Sequence, residues 1–540
     1  MRSIPTSPMA KALVFLPLLV LILAGALAGL AAAAPPAGFD DRVEALLRAS
    51  GAPGMGAVIV EGGKVALARG YGVRRLGAPE RVDADTIFPI ASAGKAFTTA
   101  DLALLVDEGR LGWDDKVVDR LPGFQMYDPW VTREMTVRDL LVHRSGLGLG
   151  AGDLLFFPRS SLSRAEAVSR LRWIKPATSF RSGYAYDNVL YMAAGQLIEA
   201  VTGQTWERFT QERLLRPAGM TVSTADDADR FRTANRAQPH ARLNGAVRGQ
   251  GDQEVLDERQ GSAESSAPAG GVSVSASDLG RWIQIQLGHG RLPEGGRLFS
   301  DAASREMWTP QTLIPIHRPP AAAAAAEPQF LTYALGWEVR DWRGHKIVWH
   351  DGGVDGYRAV VVLIPEKDVG FALMLNAEEG VVTRGLMYEL LDHYLGFPAA
   401  DWPAILGRIK AGQTAAAVAA VAATPPEVAR RADAGPGLPP ARYAGDYVDP
   451  WYGRMVVGKA GGGLTIDFKS TPGMVGDLEP WRYETFIARW RDKSIEPAFV
   501  TFFRGADGEV ERVAMKAVSP QADFSYDYQD LDFRPVRPRP

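Results

Sequence analysis

Apolar positions fall into two rhythms along the first 400 residues. Short runs at 56–60 and 65–71 read as strands, and Glu61-Gly62-Gly63 between them is a hairpin signal. A short helix is expected at 40–49, before them. Residues after Ser92 carry Ala100, Leu102, Leu104, Leu105 and Val106 with few breakers, a helical pattern. Further helices are expected at 137–142, 165–173, 186–201 and 206–215. Residues 229–268 are polar and weakly patterned, which predicts a loop or lid. Six consecutive alanines between prolines place a surface loop at 317–327. Strand patterns return at 333–340, 346–350, 357–364 and 369–375, and a helix at 381–395 closes the segment. Strands at both ends of a helical middle imply one sheet assembled from distant segments. The expected fold class is α+β: an antiparallel β-sheet flanked by helices, a helix-rich subdomain, and a small all-β domain behind them.

That last domain follows a change in composition. Residues 401–440 are Ala/Pro/Gly-rich and read as a linker with at most one short helix. Strand-like runs at 455–457, 464–468, 499–503 and 513–515, with Tyr447 ahead of them and Gly/Asp turns between, then predict a small antiparallel β domain over 441–540.

Composition narrows the function. The 540 residues are 46% hydrophobic and 23% charged, which is enough for a large domain and a smaller one. A net charge of −3, without a long basic block, argues against nucleic acid as a partner. The chain has no cysteine, so thiol catalysis, disulfides and cysteine metal sites are excluded. At the N-terminus, Arg2 and Lys11 precede an apolar run that ends in the small residues 31–34, a signal-peptide pattern assigned to 1–33. The expected location is periplasmic or secreted, with membrane contact only through an uncleaved signal.

The chemistry begins at Ser92 and Lys95, the chain's only serine followed three residues later by lysine. Side chains at i and i+3 share a helix face, so the ammonium can lie against the hydroxyl. A serine needs such a neighbour to become a nucleophile. Three motifs join the pair. Tyr186-Asp187-Asn188 offers a phenol that nearby cations can acidify and an amide that can hold the lysine. His350-Asp351-Gly352-Gly353 leads into a strand, where glycines permit close backbone approach and a free N–H can stabilise an oxyanion. Leu141-Val142-His143-Arg144-Ser145-Gly146-Leu147 is expected to end a helix, with His143 in a structural hydrogen bond. The other histidines have no ligand spacing, so neither metal nor cofactor is assigned. Isoleucine at position 90 rules out a Gly-x-Ser-x-Gly elbow around Ser92.

The order Ser-x-x-Lys, Tyr-x-Asn, His-x-Gly, at spacings of roughly 90 and 160 residues, resembles the serine β-lactamase and penicillin-binding-protein superfamily. The resemblance is to the branch with class C β-lactamases, DD-peptidases, D-aminopeptidases and esterases, and it covers about 39–400. Pro268-Ala269-Gly270-Gly271-Val272 is a further landmark, and Tyr443-Ala444-Gly445-Asp446-Tyr447 is similar to the start of a β domain appended to many bacterial members. The resemblance implies Ser92 as nucleophile, Lys95 as its proton partner and Tyr186 as general base. It further implies that Asn188 orients substrate and lysine, that His350 and Gly352 belong to the strand lining the cleft, and that the N–H groups of Ser92 and Gly353 form the oxyanion hole.

Dedicated β-lactamases usually carry Lys-Thr-Gly at the third motif, where this chain has His350-Asp351-Gly352. A largely neutral histidine weakens capture of a substrate carboxylate, as does Asp351 if it faces the cleft. The expectation is therefore an exported serine hydrolase acting on an ester or a D-amino-acid-containing peptide. The alternatives are a DD-carboxypeptidase or weak β-lactamase acting on peptidoglycan-derived peptides or β-lactams, and a non-catalytic cell-wall or ligand-binding protein.

Overall fold

Strand β1 (Gly54–Glu61) turns through Gly62 and Gly63 into β2 (Lys64–Gly72). Both turn residues have positive φ (54° and 72°), the two-residue turn whose twist matches paired strands. The computed structural model of the chain describes residues 34–423 and 436–536; the segment expected to be a signal peptide lies outside them. The remaining strands of the main sheet are β3 (Thr312–Leu313), β4 (Leu331–Tyr333), β5 (Glu338–Trp342), β6 (His345–Val354), β7 (Tyr357–Ile364) and β8 (Val369–Leu375). The order across the sheet is β2-β1-β8-β7-β6-β5-β4-β3, antiparallel throughout. The first hairpin thus docks on the last strand, closing one sheet from both ends of the domain.

Both faces of this sheet are covered. Val361 and Leu363 of β7 pack into the core of the helical subdomain, and Val360, Val362 and Ile364 into a second core on the opposite face. A strand buried on both faces is apolar without alternation, as 357–364 and 369–375 are. The helices that matter for the site are α1 (Phe39–Ser50), α2 (Lys95–Asp107), α3 (Val189–Thr202), α4 (Ala276–Leu287), α5 (Gly380–Leu395) and α6 (Trp402–Ala422). Among them, α1, α5 and α6 cover the second face.

Three expectations change. Residues 137–142 hold only a 3-10 turn at Arg138–Leu140. Val137, Leu140, Leu141 and Val142 are apolar because they are buried, and the Asp139 carboxylate takes the Thr136 N–H and hydroxyl (3.1 and 2.7 Å) in place of a continuing helix. The 229–268 segment contains a small hairpin, His240–Arg242 with Gln253–Val255. The supposed linker opens with the 21-residue α6, whose N-cap Asp401 accepts the Ala404 N–H at 3.1 Å. Alanine is the strongest helix former, and proline is well placed in a first turn, so this composition supports a helix.

The C-terminal domain is a closed eight-stranded antiparallel barrel in sequence order: β9 (Gly445–Asp449), β10 (Gly453–Ala460), β11 (Gly463–Phe468), β12 (Val475–Arg482), β13 (Thr485–Trp490), β14 (Ala498–Arg504), β15 (Val510–Ala517) and β16 (Asp532–Pro535). It docks on the helical subdomain. Ser161 N–H donates to the Ser470 carbonyl (2.8 Å), and the rings of Phe157 and Tyr526 lie 5.0 Å apart.

Candidate active site

Ser92 sits in a 3-10 turn, Ala91–Gly94, at the head of α2. Ala91 before it has φ 46°, a conformation that an alanine adopts only when its surroundings impose it. Two backbones supply that constraint. A Cβ on Gly352 of β6 would lie 1.9 Å from the Ile90 carbonyl oxygen, and one on Gly270 would lie 2.6 Å from the Ala91 carbonyl carbon. Only glycine allows the strand and the short helix Ala267–Gly270 to press the serine turn so closely.

Lys95 is completely buried one helical turn further on. Its Nζ lies 3.1 Å from Ser92 Oγ, 2.7 Å from Asn188 Oδ1 and 2.8 Å from the Ala269 carbonyl. Burial pushes the amine down to about 7, while the carboxyls of Asp153 and Asp187 pull the other way. The two carbonyl oxygens can only accept. A neutral Lys95 therefore spends both of its N–H donors on them and turns its lone pair to Ser92 Oγ, the arrangement needed to take a proton from the serine.

Asn188 stands at the start of α3 without capping it: its Nδ2 donates to Asp153 Oδ2 at 2.8 Å, which fixes the amide's other end toward Lys95. Tyr186 lies tilted against the His143 ring (4.1 Å between centroids, 34° between planes), and its ring centroid is 4.7 Å from Lys95 Nζ. Its buried hydroxyl has no hydrogen-bond partner of normal geometry among the described residues. Burial raises the phenol well above its ordinary value, against an opposing influence from Ser92. Desolvation is the largest influence on this phenol, and Lys95 is the more readily deprotonated of the two groups. His143 is buried, accepts the Asp187 N–H at Nδ1 (3.1 Å) and serves as the platform beneath Tyr186.

The third motif divides its residues between two sides. His350 is 2% exposed; its Nδ1 donates to the Asp351 carbonyl (2.6 Å), leaving Nε2 to accept the Tyr333 hydroxyl (2.9 Å). Burial and then the Lys95 charge push His350 down to about 4, so it is neutral and fully engaged. Asp351 points away from the cleft and pairs with Arg384 of α5. Gly353 lines a cavity of about 1320 Å³ together with Ser92 and Asn188. Asp355, Glu378 and Asp523 also line it. Arg248 is tied to Glu378 (2.6 Å) and Asp355 (3.1 Å).

Asp153 and the barrel residues at the cavity were not found from sequence. Asp153 belongs to no motif, and Asp523 lies more than 400 positions from Ser92, with no local pattern to connect them.

The Beta-lactamase family pattern matches residues 39–396, and a domain of unknown function, DUF3471, matches 429–535. "Unguisins hydrolase ungD" of Aspergillus violaceofuscus is 28% identical over 459 residues, covering 77% of this chain and 75% of that protein. "Penicillin-binding protein 4" of Amycolatopsis lactamdurans is 30% identical over 367 residues, 66% of this chain and 90% of the relative. The fold matches the octameric penicillin-binding protein homologue from Pyrococcus abyssi with a TM-score of 0.56 and 19% identity, over 91% of this chain and 99% of that one. With more than half of its length matched by the family pattern, this chain belongs to the β-lactamase family of hydrolases and penicillin-binding proteins.

Proposed function

We propose that the protein is an exported serine hydrolase working through a Ser92 acyl-enzyme. The observation that carries this reading is the buried Lys95, with two contacts fixed by carbonyl acceptors and the third directed at Ser92 Oγ. Ser92 attacks the substrate carbonyl as its proton passes to Lys95. The N–H groups of Ser92 and Gly353 receive the oxyanion, and the leaving alcohol or amine departs with the proton that Lys95 holds. Tyr186 is a neutral hydroxyl beside this path. Water then repeats the sequence on the acyl carbon and regenerates the serine.

The substrate class follows from the third motif. On the cavity wall Arg248 and the carboxyls of Glu378 and Asp355 offset one another, Asp523 adds a carboxylate and Arg358 a guanidinium, and the third motif supplies a neutral, buried His350 instead of a cation. The lack of a cation at that motif suits an ester or a D-amino-acid-containing peptide better than a penicillin-like acid.

Mass spectrometry after incubation with a fluorophosphonate and, separately, a penicillin tests this. The expected result is a fluorophosphonate adduct that disappears in Ser92→Ala. A long-lived penicilloyl adduct moves the assignment to a DD-peptidase, and no adduct on folded protein leaves a binding protein. The labelling rate is expected to rise with pH through about 7, as Lys95 loses its proton. His350 adds no inflection there, being neutral already.

A further inference from the structure

The barrel reaches the catalytic lysine through one loop. Residues 524–527, between β15 and β16, close over the 150–154 turn of the hydrolase domain. Asp527 accepts the N–H groups of Gly152 (2.6 Å) and Leu154 (3.0 Å). Phe524 sets its ring edge-on to Tyr186 at 6.0 Å and packs so closely on Gly150 that a Cβ there would lie 2.7 Å from it. Between them, Ser525 Oγ donates to Asp153 Oδ2 at 2.8 Å. The same carboxylate oxygen accepts Asn188 Nδ2 (2.8 Å), Asn188 Oδ1 accepts Lys95 Nζ (2.7 Å), and Nζ meets Ser92 Oγ (3.1 Å).

We propose that Ser525 is a positioning residue for Lys95, acting through Asp153 and Asn188, so that the C-terminal barrel is a working part of the hydrolase site. This rests on the acyl-enzyme reading of Ser92. Asp153 is fully buried, and its other oxygen has no partner among the described residues. Ser525 and Asn188 therefore supply the hydrogen bonds that hold its orientation. Burial raises this carboxyl to about 8, and Ser525, Asn188 and Lys95 each oppose that rise. The charged groups facing it are Lys95, Asp523 and Asp527. Those facing Lys95 are Asp153, Asp187, His143 and His350, with the rings of Tyr186 and Tyr191 at 4.7 and 5.0 Å.

Without the Ser525 hydroxyl, Asp153 loses one of the two hydrogen bonds on Oδ2, and Asn188 aims Lys95 at Ser92 less well. The Lys95 midpoint itself stays near about 7, because Asp153, at about 8, is already largely protonated where the lysine titrates. The experiment measures the rate of Ser92 labelling by a fluorophosphonate in the full chain, from roughly pH 5 to pH 9. Ser525→Ala is expected to label about tenfold more slowly across that range, with the midpoint in place. Ser525→Thr, which keeps the hydroxyl, restores the rate. A rate within about twofold of wild type, or a loss that threonine does not repair, overturns the proposal; impaired folding lowers the final amplitude and leaves the rate of the folded fraction unchanged. Absence of labelling in the wild type overturns the acyl-enzyme reading itself, and this proposal with it.

Discussion

Lys95→Met is expected to slow Ser92 labelling by about two to four orders of magnitude, the range that a positioned acid–base group contributes. It should nevertheless leave the protein folded and at least as resistant to denaturant at neutral pH. Both outcomes have one cause. The side chain is fully buried, and the ammonium form carries the cost of that burial, which is why the amine is pushed down to about 7. Methionine fills a similar volume without a charge to desolvate. Linkage gives a second, independent signature. Between about 7 and the ordinary lysine value of 10.5, the unfolded chain binds the proton that the native state has already released. Wild-type stability should therefore rise with pH across that window, relative to Lys95→Met. Denaturant midpoints for the two proteins at a series of pH values measure the difference. A Lys95→Met protein that labels within about tenfold of wild type would exclude the lysine as proton acceptor and return that role to Tyr186.

The elements legible in the sequence are those whose pattern has a single physical cause. Strands β7 and β8 were read to the residue because continuous apolar runs bounded by turns suit a strand buried on both faces. The Ser92–Lys95 pair was legible because a three-residue spacing on a helix start is local geometry. Residues 137–142 misled because apolar side chains buried in an irregular turn make the same run as a helix. Strand β12 was missed: Leu478 is its one large inward residue, and it carries Gly476, Pro480 and a register shift beside Pro480. The contact between Asp153 and Ser525 was beyond reach, since it joins positions 372 apart through tertiary packing alone. Motifs thus located the serine–lysine pair, but the protonation of its neighbours depends on burial, which the sequence does not display.

Gly352→Ala is the sharpest test of how the nucleophile is held. The new methyl would lie 1.9 Å from the Ile90 carbonyl oxygen, 2.9 Å from its carbon and 3.1 Å from Ser92 N. A carbon and an oxygen need roughly 3.3 Å, so strand β6 or the serine turn must retreat by more than about 1 Å. Both neighbours are backbone, and no side-chain rotation relieves the clash. A displacement of that size between reacting groups costs about a hundredfold in rate, and forced overpacking costs about 1–3 kcal/mol in stability. Gly353→Ala, one residue on, provides the contrast. Its Cβ would meet the Arg358 guanidinium at 3.2 Å, the far end of a flexible side chain, and its backbone N–H is unchanged. Labelling in Gly353→Ala should stay within about threefold of wild type, a loss of under about 1 kcal/mol. If the two variants lose activity equally, the clash with the Ile90 carbonyl is not what positions Ser92. If Gly352→Ala alone collapses, the close approach of β6 to the serine turn is the constraint that holds Ala91 in its unfavourable conformation and Ser92 in reach of Lys95.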